Sequence, residues 1–116
     1  MTYIDGFVAA VPIENKEAYL EHARITGPVF KKYGALRVVD NWGDEVPDGE
    51  VTSFPIAVKA KPGEVIVLSW IEWTSKEARE KGMEACMSDP VVTGDEAMPF
   101  DGARMLIGSF ENIFEE

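Results

Sequence analysis

Residues 64–73 read EVIVLSWIEW and carry the clearest structural signal in this chain of 116 residues. The stretch is rich in β-branched and aromatic side chains, which favours a strand. Its odd-numbered positions are apolar apart from one serine, and most of its even-numbered positions are apolar too. Since both sides are apolar, we expect both faces of this strand to be covered in the folded protein.

The residues that flank this strand predict a turn before it and a helix after it. KPGE at 61–64 contains the Pro-Gly pair that is typical of turns. Residues 74–90 have helical character, and Thr74 followed by Glu77 matches the capping-box pattern of a helix start. Pro90 is expected to end this helix.

The N-terminal third of the chain predicts a strand, a helix and a second strand. Residues 3–12, YIDGFVAAVP, form a strand that is apolar on both sides. Residues 14–34 form a helix, although Pro28 removes a backbone donor and should kink or break it. Residues 35–43 form the next strand.

Two further segments complete the secondary-structure prediction. An acidic, turn-rich loop at 44–51 is followed by residues 52–60, where Ser53 and Pro55 favour a helical turn, although the apolar content also suits a strand. After an irregular stretch, residues 103–114 are predicted to be the last strand.

The order strand, helix, strand, insertion, strand, helix, strand predicts one α+β domain over residues 1–116. It matches the ferredoxin-like βαββαβ fold, an antiparallel sheet with two helices on one face. The other face would then expose a large apolar patch, which soluble monomers avoid. We therefore expect a homodimer that packs sheet against sheet around a two-fold axis. The alternative cover is the insertion at 44–63, folded back over the sheet.

Composition excludes several classes of partner. The formal charge is −10, from 11 basic and 21 acidic side chains, and the basic residues are scattered. Nucleic acids and anionic membranes both need clustered Lys and Arg, so neither is expected as a partner. The single cysteine, Cys86, permits no intrachain disulfide. Without a signal-peptide pattern or an apolar stretch of ~20 residues, we expect a cytoplasmic protein.

Five stretches spread over nearly the whole chain carry a resemblance to known proteins: YIDGFVAAVP, FKKYGALRVVDNWGDEVPDG, TSFPIAVKAKPGE, SWIEW and MPFDGARM. Together they are similar to the YbaA-like family of small bacterial proteins of unknown function. The resemblance implies membership of the dimeric α/β-barrel superfamily, in which two ferredoxin-like units pair. It implies no activity, because that superfamily hosts several unrelated chemistries.

His22 and Glu72 are the candidate catalytic residues. His22 is the only histidine and lies on or beside the apolar face of the first helix, where it could act as a general base. The simpler interpretation is a solvated or hydrogen-bonded histidine at the helix edge. Glu72 lies in a mostly apolar strand, so it is either a buried, paired base or an edge carboxylate in water.

MPFDGARM at 98–105 is the candidate ligand-binding segment. Arg104 could hold a carboxylate or phosphate with two hydrogen bonds, and Phe100 and Asp101 could contribute to the same site. The structural interpretation is a turn in which Asp101 pairs with Arg104 while Phe100 is a core or interface anchor.

Trp42 and Trp70 could line a pocket for a planar molecule, although tryptophans more often belong to a core or an interface. No metal site and no cofactor are predicted, because there is one histidine and one thiol. The acidic group at 40–45 lacks calcium-loop spacing and is interpreted as a solvated loop.

Two functional hypotheses follow. The preferred one is a homodimer that holds an apolar or aromatic small molecule between helices and sheet, with enzyme activity left open. The alternative is a non-catalytic binding or stress-related dimer that has no deep active site.

Overall fold

The computed structural model describes residues 2–94 and 98–116, which form an α+β structure with one antiparallel sheet. Its strands and α-helices are, in chain order, β1 Tyr3–Pro12, α1 Lys16–Lys32, β2 Arg37–Trp42, α2 Phe54–Ala57, β3 Glu64–Trp73, α3 Lys76–Met87, α4 Pro90–Thr93 and β4 Leu106–Glu111. Two 3₁₀ turns, Ile13–Asn15 and Gly102–Arg104, precede α1 and β4 respectively.

The four strands lie in the order β2-β3-β1-β4, and every neighbouring pair is antiparallel. The two central strands pair over their full length, from Tyr3 opposite Trp73 to Pro12 opposite Glu64. Their bounds confirm the strands that apolar content predicts at 3–12 and 64–73. Because both strands are central, each has neighbours on both edges.

The two long helices pack on one side of the sheet, which we call the helix face. Tyr19 of α1 packs against Val11 and Val67, and Met83 of α3 packs against the cluster that contains Trp73. All of these strand residues are odd-numbered, so alternation places the odd positions of β1 and β3 on the helix face.

One end of the helix face holds a buried polar group, the Asp5 cluster, formed by Asp5, Trp73, Arg79 and Ser109. Asp5 is only 3% exposed. Its carboxylate accepts hydrogen bonds from the Trp73 indole at 2.9 Å, the Ser109 hydroxyl at 2.6 Å and Nε of Arg79 at 3.1 Å. A buried charge is tolerated when it is paired and hydrogen-bonded in this way.

The opposite side of the sheet, the open face, is covered at one end only. Val58, which follows α2, is 1% exposed and packs against Ala10 and Ile66. The helical turn favoured at 52–60 is confirmed, with Ser53 accepting a hydrogen bond from Ile56 N at 3.1 Å. The insertion therefore covers part of this face.

Beyond α2, the open face presents apolar side chains to solvent. Leu68 is 40% exposed, Leu106 43% and Phe110 60%. The Phe110 ring lies over Gly6 and Gly108, where an added Cβ would meet it at 3.2 and 3.1 Å. Glycine at these two positions lets the ring lie close to the sheet.

The two long helices differ in detail from their predictions. Of the kink or break predicted at Pro28, the break is not observed, because α1 continues through this residue. α3 begins one residue later than the capping-box pattern indicates, because Ser75 rather than Thr74 is the N-cap and accepts from Ala78 N at 3.0 Å. Both serine and threonine can cap, and the backbone of Ser75 has the extended conformation that suits an N-cap.

The C-terminal region also differs from its prediction. The last strand covers only Leu106–Glu111 of the predicted 103–114, because Gly102–Arg104 forms a 3₁₀ turn. Pro90 is predicted to end the second helix, but α3 already ends at Met87 and Pro90 begins α4. The rest of α4 lies in the stretch predicted as irregular, and residues 95–97 of that stretch lie outside the described residues. Within 2–94 and 98–116, no helix is both long enough and apolar enough to cross a bilayer.

Candidate ligand-binding site

A partly open cavity of about 150 Å³ lies between α1 and the helix face of the sheet. Its walls are mainly apolar and aromatic, which is typical of small-molecule sites. Its lining includes Phe7, Tyr19, His22, Phe30, Asp40, Ser69 and Phe100.

The polar edge of this cavity is formed by Tyr19 and Asp40. The Tyr19 hydroxyl donates to Oδ1 of Asp40 at 2.6 Å, a length typical of a hydrogen bond to a charged acceptor. Burial raises the pKa of the Tyr19 phenol well above its usual value, and the Asp40 carboxylate raises it further. Tyr19 therefore stays a neutral donor. Ser69 lies near the same hydroxyl and partly offsets the shift.

His22 and Phe100 line the same cavity from opposite ends of the chain. His22 lies in α1, one turn after Tyr19, and its backbone oxygen accepts from Thr26 Oγ1 at 2.9 Å. The Phe100 ring lies 5.8 Å from the Tyr19 ring, centroid to centroid, at an interplanar angle of 47°. A tilted pair at this distance is a favourable aromatic contact.

The segment that carries Phe100 is held by the Arg104 cluster, which consists of Arg104, Asp101, Glu64 and the backbone of Lys59. Arg104 donates to both carboxylate oxygens of Glu64, at 2.8 and 2.7 Å. It also donates to Asp101 at 3.0 Å and to the Lys59 carbonyl at 2.9 Å. Asp101 in turn accepts from Ala103 N at 3.0 Å. The turn with a local Asp101–Arg104 pair is confirmed.

These ion pairs fix the charge states of the Arg104 cluster. Its hydrogen bonds to Arg104 lower the pKa of Glu64 to about 2. The same guanidinium lowers the pKa of Asp101, and the two carboxylates raise the pKa of Arg104. Since Nε, Nη1 and Nη2 of Arg104 all donate within the chain, the side chain positions the 98–105 segment in this conformation.

Glu72 and the Trp70 indole belong to the open face. The Trp70 indole N–H donates to Glu72 at 3.0 Å, and Arg37 lies 3.4 Å from the same carboxylate. Trp70 borders the cavity, but strand alternation directs its side chain to the side of the sheet that Glu72 occupies. The structure therefore does not bring Glu72 and His22 together within one chain.

Trp42 lies beside the cavity on the helix face. It packs against the cluster of Val11, Tyr19 and Val67, and the Lys16 ammonium lies 5.4 Å from its ring centroid. The structure thus places it in the core wall next to Tyr19.

Sequence reasoning did not identify the Tyr19–Asp40 pair. One signal was available, because Asp40 lies between Val38 and Trp42 on one side of the second strand, where a carboxylate interrupts an apolar row. Its partner in the first helix depends on how the helix docks on the sheet. Among residues 2–94 and 98–116, no cluster of three or more His, Cys, Asp or Glu side chains could hold a metal.

Comparisons with known proteins place the chain in a family. The family described as "Protein of unknown function (DUF1428)" matches residues 2–102. "Uncharacterized protein YbaA" of Escherichia coli strain K12 is 52% identical over 117 residues, covering 100% of both chains. The protein of the same name from Shigella flexneri matches equally well. The chain therefore belongs to the DUF1428 family of proteins of unknown function.

Proposed function

We propose that this protein binds a small aromatic or apolar molecule in the cavity between α1 and the sheet. The observation that carries the proposal is the cavity itself, about 150 Å³ and lined by aromatic side chains with one polar edge. Apolar cavities of about this volume accept a benzene-sized molecule. Burial of such a ring against Phe7, Phe30 and Phe100 would supply the binding free energy.

The proposed function is binding, and of the two candidate catalytic residues only His22 has a position that supports a chemical role in the cavity. His22 lines the cavity, and an imidazole can both accept and donate a proton. Glu72 lies on the other side of the sheet and pairs with Arg37. Any reaction of a bound molecule in this cavity would therefore use His22 rather than Glu72.

A fluorine-NMR titration with 4-fluorotoluene tests the binding proposal. We expect saturable binding to the protein. Ala23→Leu adds three carbons at a position that lines the cavity, so it should weaken binding at least about tenfold, the effect of losing about 1.4 kcal/mol. Ala18→Leu is the matched control, because Ala18 is exposed on the same helix and does not line the cavity.

Absence of saturable binding to the unmodified protein would contradict the proposal. Equal weakening by Ala23→Leu and Ala18→Leu would place the ligand elsewhere. If 4-fluorotoluene does not bind and native mass spectrometry detects no copurified molecule, the non-catalytic dimer without a deep site becomes the better hypothesis.

The second part of the proposal is a homodimer of ferredoxin-like units that pair through the open face. The strand order β2-β3-β1-β4, with α1 and α3 between strands of one sheet, supports the βαββαβ interpretation. Leu68, Leu106 and Phe110 are exposed together, and a second copy would remove them from water. The insertion covers only the end near Val58.

Sedimentation equilibrium of Leu68→Asp tests this assembly. A charge at the centre of the open face should dissociate the dimer while leaving each chain folded. Ile25→Asp is the matched control, because Ile25 is 47% exposed on α1, on the other side of the molecule. A monomeric unmodified protein, or dissociation by both variants, would contradict the proposed interface.

A further inference from the structure

The polar edge of the cavity presents a carboxylate acceptor, and this chemistry restricts the ligand. We propose that the cavity selects aromatic molecules that carry a hydrogen-bond donor, such as a phenol, and rejects aromatic carboxylates, with the Asp40 carboxylate as the group that selects. This inference rests on the proposed function, since it assigns a ligand class to the same cavity.

The hydrogen bond at Asp40 uses only one of its two carboxylate oxygens. The Tyr19 hydroxyl has a single proton and donates it in a hydrogen bond to Oδ1 of Asp40, at 2.6 Å. Within 2–94 and 98–116, Tyr19 is the only residue whose side chain hydrogen-bonds to Asp40. The second oxygen, Oδ2, therefore remains an acceptor beside the cavity. A ligand hydroxyl or amino group can donate to it, whereas a ligand carboxylate cannot.

The second step concerns charge. No Lys or Arg is found among the described residues that line the cavity. Arg104, the basic residue nearest in sequence to Phe100, is engaged by Glu64 and Asp101. Apart from His22, which can take up a proton, an anionic ligand would therefore meet the Asp40 carboxylate with no basic side chain beside it, in a chain whose formal charge is −10. Like charges brought close together oppose binding.

The third step concerns the energetic scale. A hydrogen bond to a charged acceptor is stronger than one between neutral groups. A donor group on the ligand should therefore improve affinity about tenfold over an isosteric methyl group. Replacing that group by a carboxylate should weaken binding by more than tenfold relative to the methyl compound.

Three ligands that share a fluorophenyl ring test the inference by fluorine-NMR titration at pH 7: 4-fluorophenol, 4-fluorotoluene and 4-fluorobenzoate. We expect the phenol to bind about tenfold more tightly than the toluene, and the benzoate to bind most weakly. In Asp40→Asn, the ratio between phenol and toluene affinities should fall towards one. Asp44→Asn is the matched control, since it removes a nearby carboxylate that does not line the cavity, and its ratio should equal that of the unmodified protein.

The outcomes separate the two proposals. Saturable binding of 4-fluorotoluene with no phenol preference, or with the benzoate tightest, overturns this inference and leaves the proposed function in place. Binding of none of the three overturns the proposed function itself. A phenol preference that persists in Asp40→Asn assigns the selection to another group and overturns the role of Asp40. The ligand series on the unmodified protein decides the matter if Asp40→Asn does not fold.

Discussion

The Asp5 cluster and the cavity lie on the same face of the same sheet, yet the carboxylates of Asp5 and Asp40 differ in burial and in hydrogen bonding. Asp5 is 3% exposed and accepts hydrogen bonds from three different side chains. Asp40 is exposed and accepts from Tyr19. In the Asp5 cluster the carboxylate is hydrogen-bonded within the chain, so it has no free acceptor for a ligand. At Asp40 one carboxylate oxygen accepts no hydrogen bond from the described side chains.

Side chains are also packed more closely around Asp5 than around Asp40. Beside Asp5, the Trp73 ring fills the space so closely that a Cβ on Gly82 would lie 2.3 Å from it. Beside Asp40, the tilted rings of Tyr19 and Phe100 border an open volume of about 150 Å³. One helix-sheet layer is thus closely packed at one end and leaves a cavity at the other.

The same substitution in both regions should give the sharpest contrast. Asp5→Asn leaves the Arg79 charge without its buried partner and should lower the free energy of unfolding by about 3 kcal/mol. Asp40→Asn should cost less than about 1 kcal/mol, because its carboxylate is solvated. Urea denaturation measures both. Equal losses would show that the Asp40 site is as much a part of the packed core as the Asp5 cluster.

Two helix glycines provide the next contrast. Gly82→Ala would force a methyl group into Trp73 and should cost about 2 kcal/mol through overpacking. Gly27→Ala in α1 meets nothing within 4 Å and should stabilise the protein by about 0.5–1 kcal/mol through helix propensity. Thermal unfolding followed by circular dichroism gives both signs. A stabilising Gly82→Ala would show that the space beside Trp73 can accept a methyl group.

Acid should lower the free energy of unfolding, because it protonates Glu64 in the Arg104 cluster. The pKa of Glu64 is lowered from 4.5 to about 2, so its pairing stabilises the fold above pH 4.5 and is lost as pH falls from there towards 2. Solvent screening limits the loss to about 1 kcal/mol. Glu64→Gln should remove this part of the pH dependence of unfolding. Asp48→Asn, in the loop after β2, is the control and should retain it.

The smallest expected effect concerns the start of α3, the helix that carries Arg79 and Gly82 to the packed end. Ser75→Ala removes the N-cap hydrogen bond to Ala78 N and should cost about 0.5–1 kcal/mol. Thr74→Ala should be nearly neutral. Chemical denaturation of the pair distinguishes them. A larger loss at Thr74 would favour the capping box that the sequence pattern indicates.

The central strands were predictable because their signal is local. A mostly apolar run of about ten residues, rich in β-branched and aromatic side chains, indicates a central strand, and residues 3–12 and 64–73 both have that character. The helical turn after Ser53 was predictable for the same reason, since a cap and a nearby proline define it within three residues. The choice between Thr74 and Ser75 was not, because both side chains have the chemistry of a cap.

The site was less predictable because its contacts join distant parts of the chain. The Arg104–Glu64 pair spans 40 positions and the Tyr19–Asp40 pair 21. Alternation groups Glu72 with Trp70, but it does not say which side of the strand the helices cover. That choice, made by packing, separates Glu72 from His22.

The pairing of the two central strands has a consequence for how the chain reaches this fold. Asp5 and Trp73 meet across 68 positions, so the first strand cannot gain its main partner until most of the chain has been synthesised. Contacts of such long range slow folding, typically into the range of milliseconds to seconds. During that interval the apolar N-terminal strand has two unpaired edges, which makes it the segment most exposed to misassociation on the ribosome.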